Sequence, residues 1–268
     1  MPKMQAKLSR RWYRGAEIEA LPDPQWLIDG VLPDKSFAIL FGEPGCGKSF
    51  LALDWALSVA HARPWLSRSV GDGDVVYIAA EDASDLKYRR RAWVLTHLRP
   101  KERDPDGPDE RIAFMPEAWD IVAGYPTLVR DIHTLGWKPR LVIVDTLARC
   151  FGGDENSAQE VGQFIRGCDV IRRAFPRTAL LAVHHTGKDV ERGARGSSAL
   201  KGAADVEMLL TNGARGLKRL TCLKMKAAEP FAPVVFRLGA AVKVAPNGRT
   251  SCTVLPVGAA GRKGGLDV

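Results

Sequence analysis

The stretch Phe37-Ala38-Ile39-Leu40-Phe41-Gly42-Glu43-Pro44-Gly45-Cys46-Gly47-Lys48-Ser49 joins an apolar run to a glycine-rich turn that ends in Lys-Ser. Gly42 to Ser49 match G-x-x-x-x-G-K-[ST] in full, with a strand-like run before the motif and an amphipathic stretch, Phe50–His61, after it. Glycines let backbone N–H groups turn inward on phosphate oxygens, and a helix opening at the end of the loop favours an anion. The motif predicts a nucleotide, ATP, cradled by Gly42, Glu43, Pro44, Gly45, Cys46, Gly47, Lys48, Ser49 and Phe50. Lys48 is expected on the β- and γ-phosphates and the Ser49 hydroxyl on Mg²⁺.

Outward from the loop, strand-like runs alternate with helical stretches: Val75–Ala79 then Asp85–Leu98, Leu141–Val144 then Gln159–Phe175, and Ala179–Val183. Continuous apolar strands separated by helices predict an α/β fold with a mostly parallel central sheet and helices on both faces. After Gly202 the texture changes to Ala204–Leu210, Leu217–Lys224 and Val234–Leu238, divided by turn residues, which predicts antiparallel C-terminal strands. Residues 1–30 read as an N-terminal arm packing on the rest or on a neighbour, 31–257 as the ATPase domain and 258–268 as a flexible tail. Pro100–Pro108 reads as a surface connection.

Three further strand ends carry chemistry. Asp145 closes Leu141-Val142-Ile143-Val144 and is positioned to hold Mg²⁺ through its water shell. It is followed by Thr146, so the hydrolytic base must come from elsewhere. Val75-Val76-Tyr77-Ile78-Ala79-Ala80 ends in Glu81-Asp82, of which Glu81 is the first choice as base and Asp82 the second. Ala179–Val183 ends in His184-His185; adjacent strand residues face opposite sides of a sheet, so one of the two is expected to sense the γ-phosphate.

Composition narrows the class. With 46% hydrophobic and 26% charged residues the chain is not predominantly disordered. No apolar run approaches the roughly 18–20 residues a bilayer span needs, and Arg10, Arg11, Arg14, Glu17 and Glu19 stand where a signal peptide needs an apolar core, which predicts a cytoplasmic protein with no membrane partner. Five dispersed cysteines exclude a disulfide framework or a zinc ribbon. The net charge of +8 is concentrated in residues 213–268, which hold ten lysines and arginines against two acids and suit a polyanionic partner. Arg89-Arg90-Arg91 reads as a solvated basic helix face.

Taken in order, the loop, the strand-end Glu, the Asp without a neighbouring Glu and the strand-end His resemble the RecA-like P-loop NTPase core. The stretches Y-I-A-A-E-D (77–82), L-V-I-V-D-T-L (141–147), D-E-N-S-A (154–158), H-H-T-G-K (184–188) and R-G-S-S-A (195–199) resemble RepA-type plasmid and phage replicative helicases of the DnaB-like hexameric class. That resemblance implies a homo-oligomeric, hexameric ring with ATP between subunits, single-stranded DNA in the pore, and a primase, initiator or loader as partner. It also implies a cation crossing to the neighbour's γ-phosphate, from Arg195 or from Lys224 and Lys226. DNA-contacting loops would follow the Asp and His strands, at Phe151–Ala158 and Thr186–Lys201, the second offering Lys188, Arg192, Arg195 and Lys201. A RecA/RadA-like recombination or repair ATPase and an ATP-dependent regulatory scaffold are the alternative expectations.

Overall fold

The computed structural model of the chain describes residues 12–81, 84–105, 107, 109–185 and 198–258. Its elements are α1 (Gly15–Glu19), β1 (Trp26–Ile28), β2 (Leu32–Pro33), β3 (Phe37–Gly42), α2 (Lys48–Ala60), β4 (Asp74–Ala79), α3 (Leu86–His97), β5 (Ile112–Met115), α4 (Ile121–Thr134) and β6 (Pro139–Asp145). Then follow α5 (Leu147–Cys150), α6 (Ala158–Ala174), β7 (Ala179–His185), α7 (Ser198–Ala203), β8 (Val206–Asn212), β9 (Leu217–Met225), β10 (Val234–Lys243) and β11 (Thr250–Pro256).

Nine strands form one sheet in the order β11-β10-β9-β8-β3-β7-β6-β4-β5, while β1 and β2 pair apart from it. From β8 to β5 every pairing is parallel; β8, β9, β10 and β11 pair antiparallel. This is the α/β architecture of a P-loop NTPase, and it has the expected division between a parallel body and antiparallel C-terminal strands.

Side-chain alternation splits each buried strand between two cores. Leu141 and Ile143 join the core that contains α2 and α3, while Val142 and Val144 join the one that contains α4 and α6. The helix after the loop is not amphipathic as its sequence suggested: eleven residues of α2, Lys48 among them, are buried. Helices buried on all sides need cover beyond the sheet, and here α3 and the curled strands β10 and β11 supply it. Thr253 on β11 meets His97 at the end of α3, and Leu238 on β10 lies over Gly47.

Among the elements that escaped the sequence pattern are β5, β11 and α4. β5 is a four-residue edge strand, β11 a second edge, and α4 carries Pro126 within it; Asp120 caps α4 by accepting from the Val122 and Ala123 N–H groups. The proposed arm divides at Trp26: Leu27 and Ile28 are fully buried in the main core, whereas Trp12 is 75% and Ile18 53% exposed. Of the 258–268 tail, only Gly258 is among the described residues.

One buried polar cluster ties the covering layer to α2. The Trp93 indole donates to Asp54 Oδ1 at 2.8 Å, and His97 Nε2 lies 3.7 Å from the same oxygen. Burial pushes the Asp54 carboxyl from 3.8 up to about 8, against the opposing pull of the Trp93 hydrogen bond, and pushes the His97 imidazole from 6.5 down to about 4. A raised pKa in the folded state gives stability that is full at low pH and lost as pH climbs through 8; the lowered His97 value acts only below 6.5. Between pH 6.5 and 8.5, therefore, Asp54 alone makes this cluster weaken. Wild-type protein should lose more melting temperature over that interval than Asp54→Asn, which keeps the acceptor for Trp93; parallel melting curves against pH would refute this.

Candidate active site

Four parallel strands deliver the site to one edge of the sheet. Gly42 pairs with His185, Asp145 with Val183 and Ala79 with Asp145, so the ends of β3, β7, β6 and β4 lie at one level. Gly42 has to be glycine: a Cβ there would meet the Leu210 carbonyl of β8 at 2.3 Å. Gly47, at φ 105°, takes the left-handed turn into α2 with Leu238 close above it.

Lys48 is 5% exposed and its ammonium donates to the Gly42 and Glu43 carbonyls, each at 2.9 Å. Burial lowers its pKa, with Cys46, Asp145 and Glu81 opposing the shift. An ammonium held in so dry a place gains strongly from an arriving phosphate. Ser49 Oγ donates to Asp145 Oδ1 at 3.1 Å, and Tyr77 donates to Asp145 Oδ2 at 2.6 Å. Burial raises the Asp145 pKa, while the hydrogen bonds from Tyr77 and Ser49 hold it down. A serine hydroxyl and a carboxylate side by side are hard oxygen donors of the kind Mg²⁺ takes, so this pair fits the ion.

The sequence left two histidines open, and the structure separates them. His185 lies on the α2 face, with Nδ1 3.4 Å from Lys48 Nζ and Nε2 3.4 Å from Glu81 Oε1. Because ammonium only donates, Nδ1 accepts and Nε2 carries the proton toward Glu81. Thr146 Oγ1 donates to the same Glu81 oxygen at 2.9 Å. His184 is on the opposite face, 1% exposed, with Nε2 3.8 Å from Glu155 Oε2 in the loop after α5.

Other expected residues fall elsewhere. Lys224 donates to the Lys201 and Gly202 carbonyls, and Lys226 to Asp205 and the Ala203 carbonyl, so both grip the end of α7. They sit where β9 meets the start of β8, the sheet edge opposite the phosphate loop. Asp82, Lys188, Arg192 and Arg195 lie outside the described residues. The Arg89-Arg90-Arg91 run is not the solvated face the sequence suggested. Arg89 stacks over the Phe50 ring at 4.6 Å, Arg90 pairs with Asp109 and two carbonyls, and Arg91 donates to the Val244 carbonyl.

Sequence reading passed over Tyr77, Thr146 and a cleft of about 470 Å³ beside the loop, lined by Phe50, Tyr88, Arg89, Leu238, Arg249 and Cys252. Arg249 lies 4.0 Å over the Tyr88 ring. The legible sign for Tyr77 was a phenol two residues before Ala79, which pairs with Asp145 on the neighbouring strand. Nothing in the sequence announces the cleft, because it forms only where β10 and β11 curl back over α2 and α3.

A glycine-rich loop on a central parallel strand, a buried lysine, a Ser–Asp pair and a polar Glu–His network define a P-loop nucleotide-dependent ATPase. The model of the AAA domain family AAA_25 matches residues 4–191, and the chain belongs to that family. No curated protein matches it. Among the described residues no helix is long and apolar enough to cross a membrane.

Removing the buried ammonium should cost nucleotide binding about 2–5 kcal/mol, as loss of one partner of a buried charged contact does, which is a weakening of roughly 30-fold or more. Titration of Lys48→Ala with a fluorescent ATP analogue checks this; wild-type affinity in the variant would contradict the placement of the phosphates on Lys48.

Proposed function

We propose that this chain is an ATP-driven motor on single-stranded DNA, a RecA-like helicase of the RepA type that works as a homo-oligomeric, hexameric ring. The observation that carries this reading is the position of β7. Its last residue, His185, stands between Lys48 and Glu81, and the chain leaves that residue directly for the basic stretch holding Lys188, Arg192, Arg195 and Lys201. A change in contacts around the γ-phosphate is thus one peptide away from the segment assigned to DNA.

In this reading Lys48 binds the β- and γ-phosphates, and Ser49 with Asp145 holds Mg²⁺, whose charge offsets that of the phosphates. Glu81 orients and deprotonates the attacking water, with Thr146 and His185 fixing its carboxylate. The cleft between Tyr88, Arg89 and Leu238 offers flat and apolar walls to the base and ribose. His184 joins the same strand to the acidic loop at Glu155, so both loops leaving the nucleotide edge are tied to β7. Arg195, Lys224 or Lys226 supplies the cation that crosses to the neighbouring subunit; the latter two already anchor α7, the helix that follows the basic stretch. A primase, initiator or loader completes the assembly.

ATPase activity should rise with single-stranded DNA, and a forked duplex should be unwound only with hydrolysable nucleotide. Strand exchange instead of unwinding would make it a recombination ATPase, and turnover indifferent to any DNA would make it a regulatory scaffold. Glu81→Gln should bind ATP with wild-type affinity and lose about 10²- to 10⁴-fold in turnover; normal turnover would remove Glu81 from the base position.

A further inference from the structure

Tyr77 has no part in the chemistry above, yet its hydroxyl makes a shorter hydrogen bond to the Asp145 carboxylate than Ser49 does. The residue is 1% exposed on β4, beside Ile143 of β6, with its ring against Phe114 at a centroid distance of 5.8 Å. Strand alternation puts its side chain on the α2 face, the face to which Asp145 also turns. The phenol spans from β4 to β6 and donates to Oδ2 at 2.6 Å, a length typical of a charge-assisted O–H···O⁻ bond. The other oxygen, Oδ1, takes the Ser49 hydroxyl at 3.1 Å.

Resting on the Mg-ATP reading of this edge, we infer that Tyr77 is a positioning residue that commits one oxygen of Asp145 to the protein so that the other faces the metal site beside Ser49. A carboxylate this buried, at 7% exposure, needs a donor on each oxygen or it rotates or takes up a proton. Ser49 lies on the Oδ1 side, where a metal ion beside its hydroxyl would also be held. On the Oδ2 side the phenol is the donor. Without it, Asp145 satisfies Oδ2 by turning toward Ser49 and loses its aim. Groups that orient a metal ligand from behind in this way typically contribute 10- to 100-fold in metal affinity.

The test follows binding of a fluorescent, non-hydrolysable ATP analogue as Mg²⁺ is raised, with thermal melting of each variant. Tyr77→Phe keeps the ring and removes only the hydroxyl. Its affinity for the analogue without metal should match wild type, its fold should persist, and half-saturating Mg²⁺ should rise ~10-fold or more. In an Asp145→Asn background the same change should add no further shift. An unaltered Mg²⁺ midpoint in folded Tyr77→Phe overturns the inference, as does a variant that cannot fold, since the phenol would then be a core bond. A full extra shift in the double variant overturns it too. Wild-type protein whose analogue binding ignores Mg²⁺ would instead overturn the Mg-ATP reading itself.

Discussion

The arrangement depends on the parallel register that ends β3, β7, β6 and β4 at one level. Each strand contributes one or two polar residues as its apolar run stops: Gly42 and its loop, His185, Asp145, and Glu81 just past Ala79. Parallel strands need crossover helices, so residues brought together in space are far apart in the chain. Their relative positions are set by backbone hydrogen bonds in a doubly covered sheet, which is stiffer than any loop could be. Moving one strand by a residue would turn its polar group to the wrong face. His184 and His185 show the consequence side by side, one held against Glu155 and the other between Lys48 and Glu81.

Burial then prepares these groups for charged ligands. Lys48 and Asp145 both sit where burial disfavours their charged forms, opposed at Lys48 by Cys46, Asp145 and Glu81 and at Asp145 by the hydrogen bonds from Tyr77 and Ser49. The site therefore holds two desolvated groups of opposite preference, one suited to phosphate and one to a cation. Its dryness comes from the same packing that buries α2, with Leu238 above the loop and α3 alongside. The covering layer and the phosphate-loop edge of the sheet share this packing.

Much of this could be read from residues alone. The phosphate loop, Asp145, Glu81 and the two histidines announce themselves because each ends an apolar run, and that run is itself the signal of a buried parallel strand. Within the arm, Leu27 and Ile28 join the main core while Trp12 and Ile18 are exposed, a division that its local pattern does not show. α4 was missed because Pro126 breaks a helical pattern that its Asp120 cap and packing on α6 sustain. The arginine run was misread for the same reason: Phe50, Asp109 and Val244 are its partners, and all three are distant in sequence. Local pattern carries the residues that end strands, and tertiary closure carries those that brace them.

The place of β3 in the sheet bears on how the protein is made. Its two neighbours are β7 and β8, reached only at Ala179 and Val206, although the strand itself begins at Phe37. A chain emerging from the ribosome therefore carries the phosphate loop long before anything can flank it. Phe37, Ile39 and Phe41 stay without their strand neighbours until β7 and β8 have been made, a window in which apolar strands invite misassociation. The loop on which nucleotide binding depends is therefore made before both of the strands that hold it in the sheet.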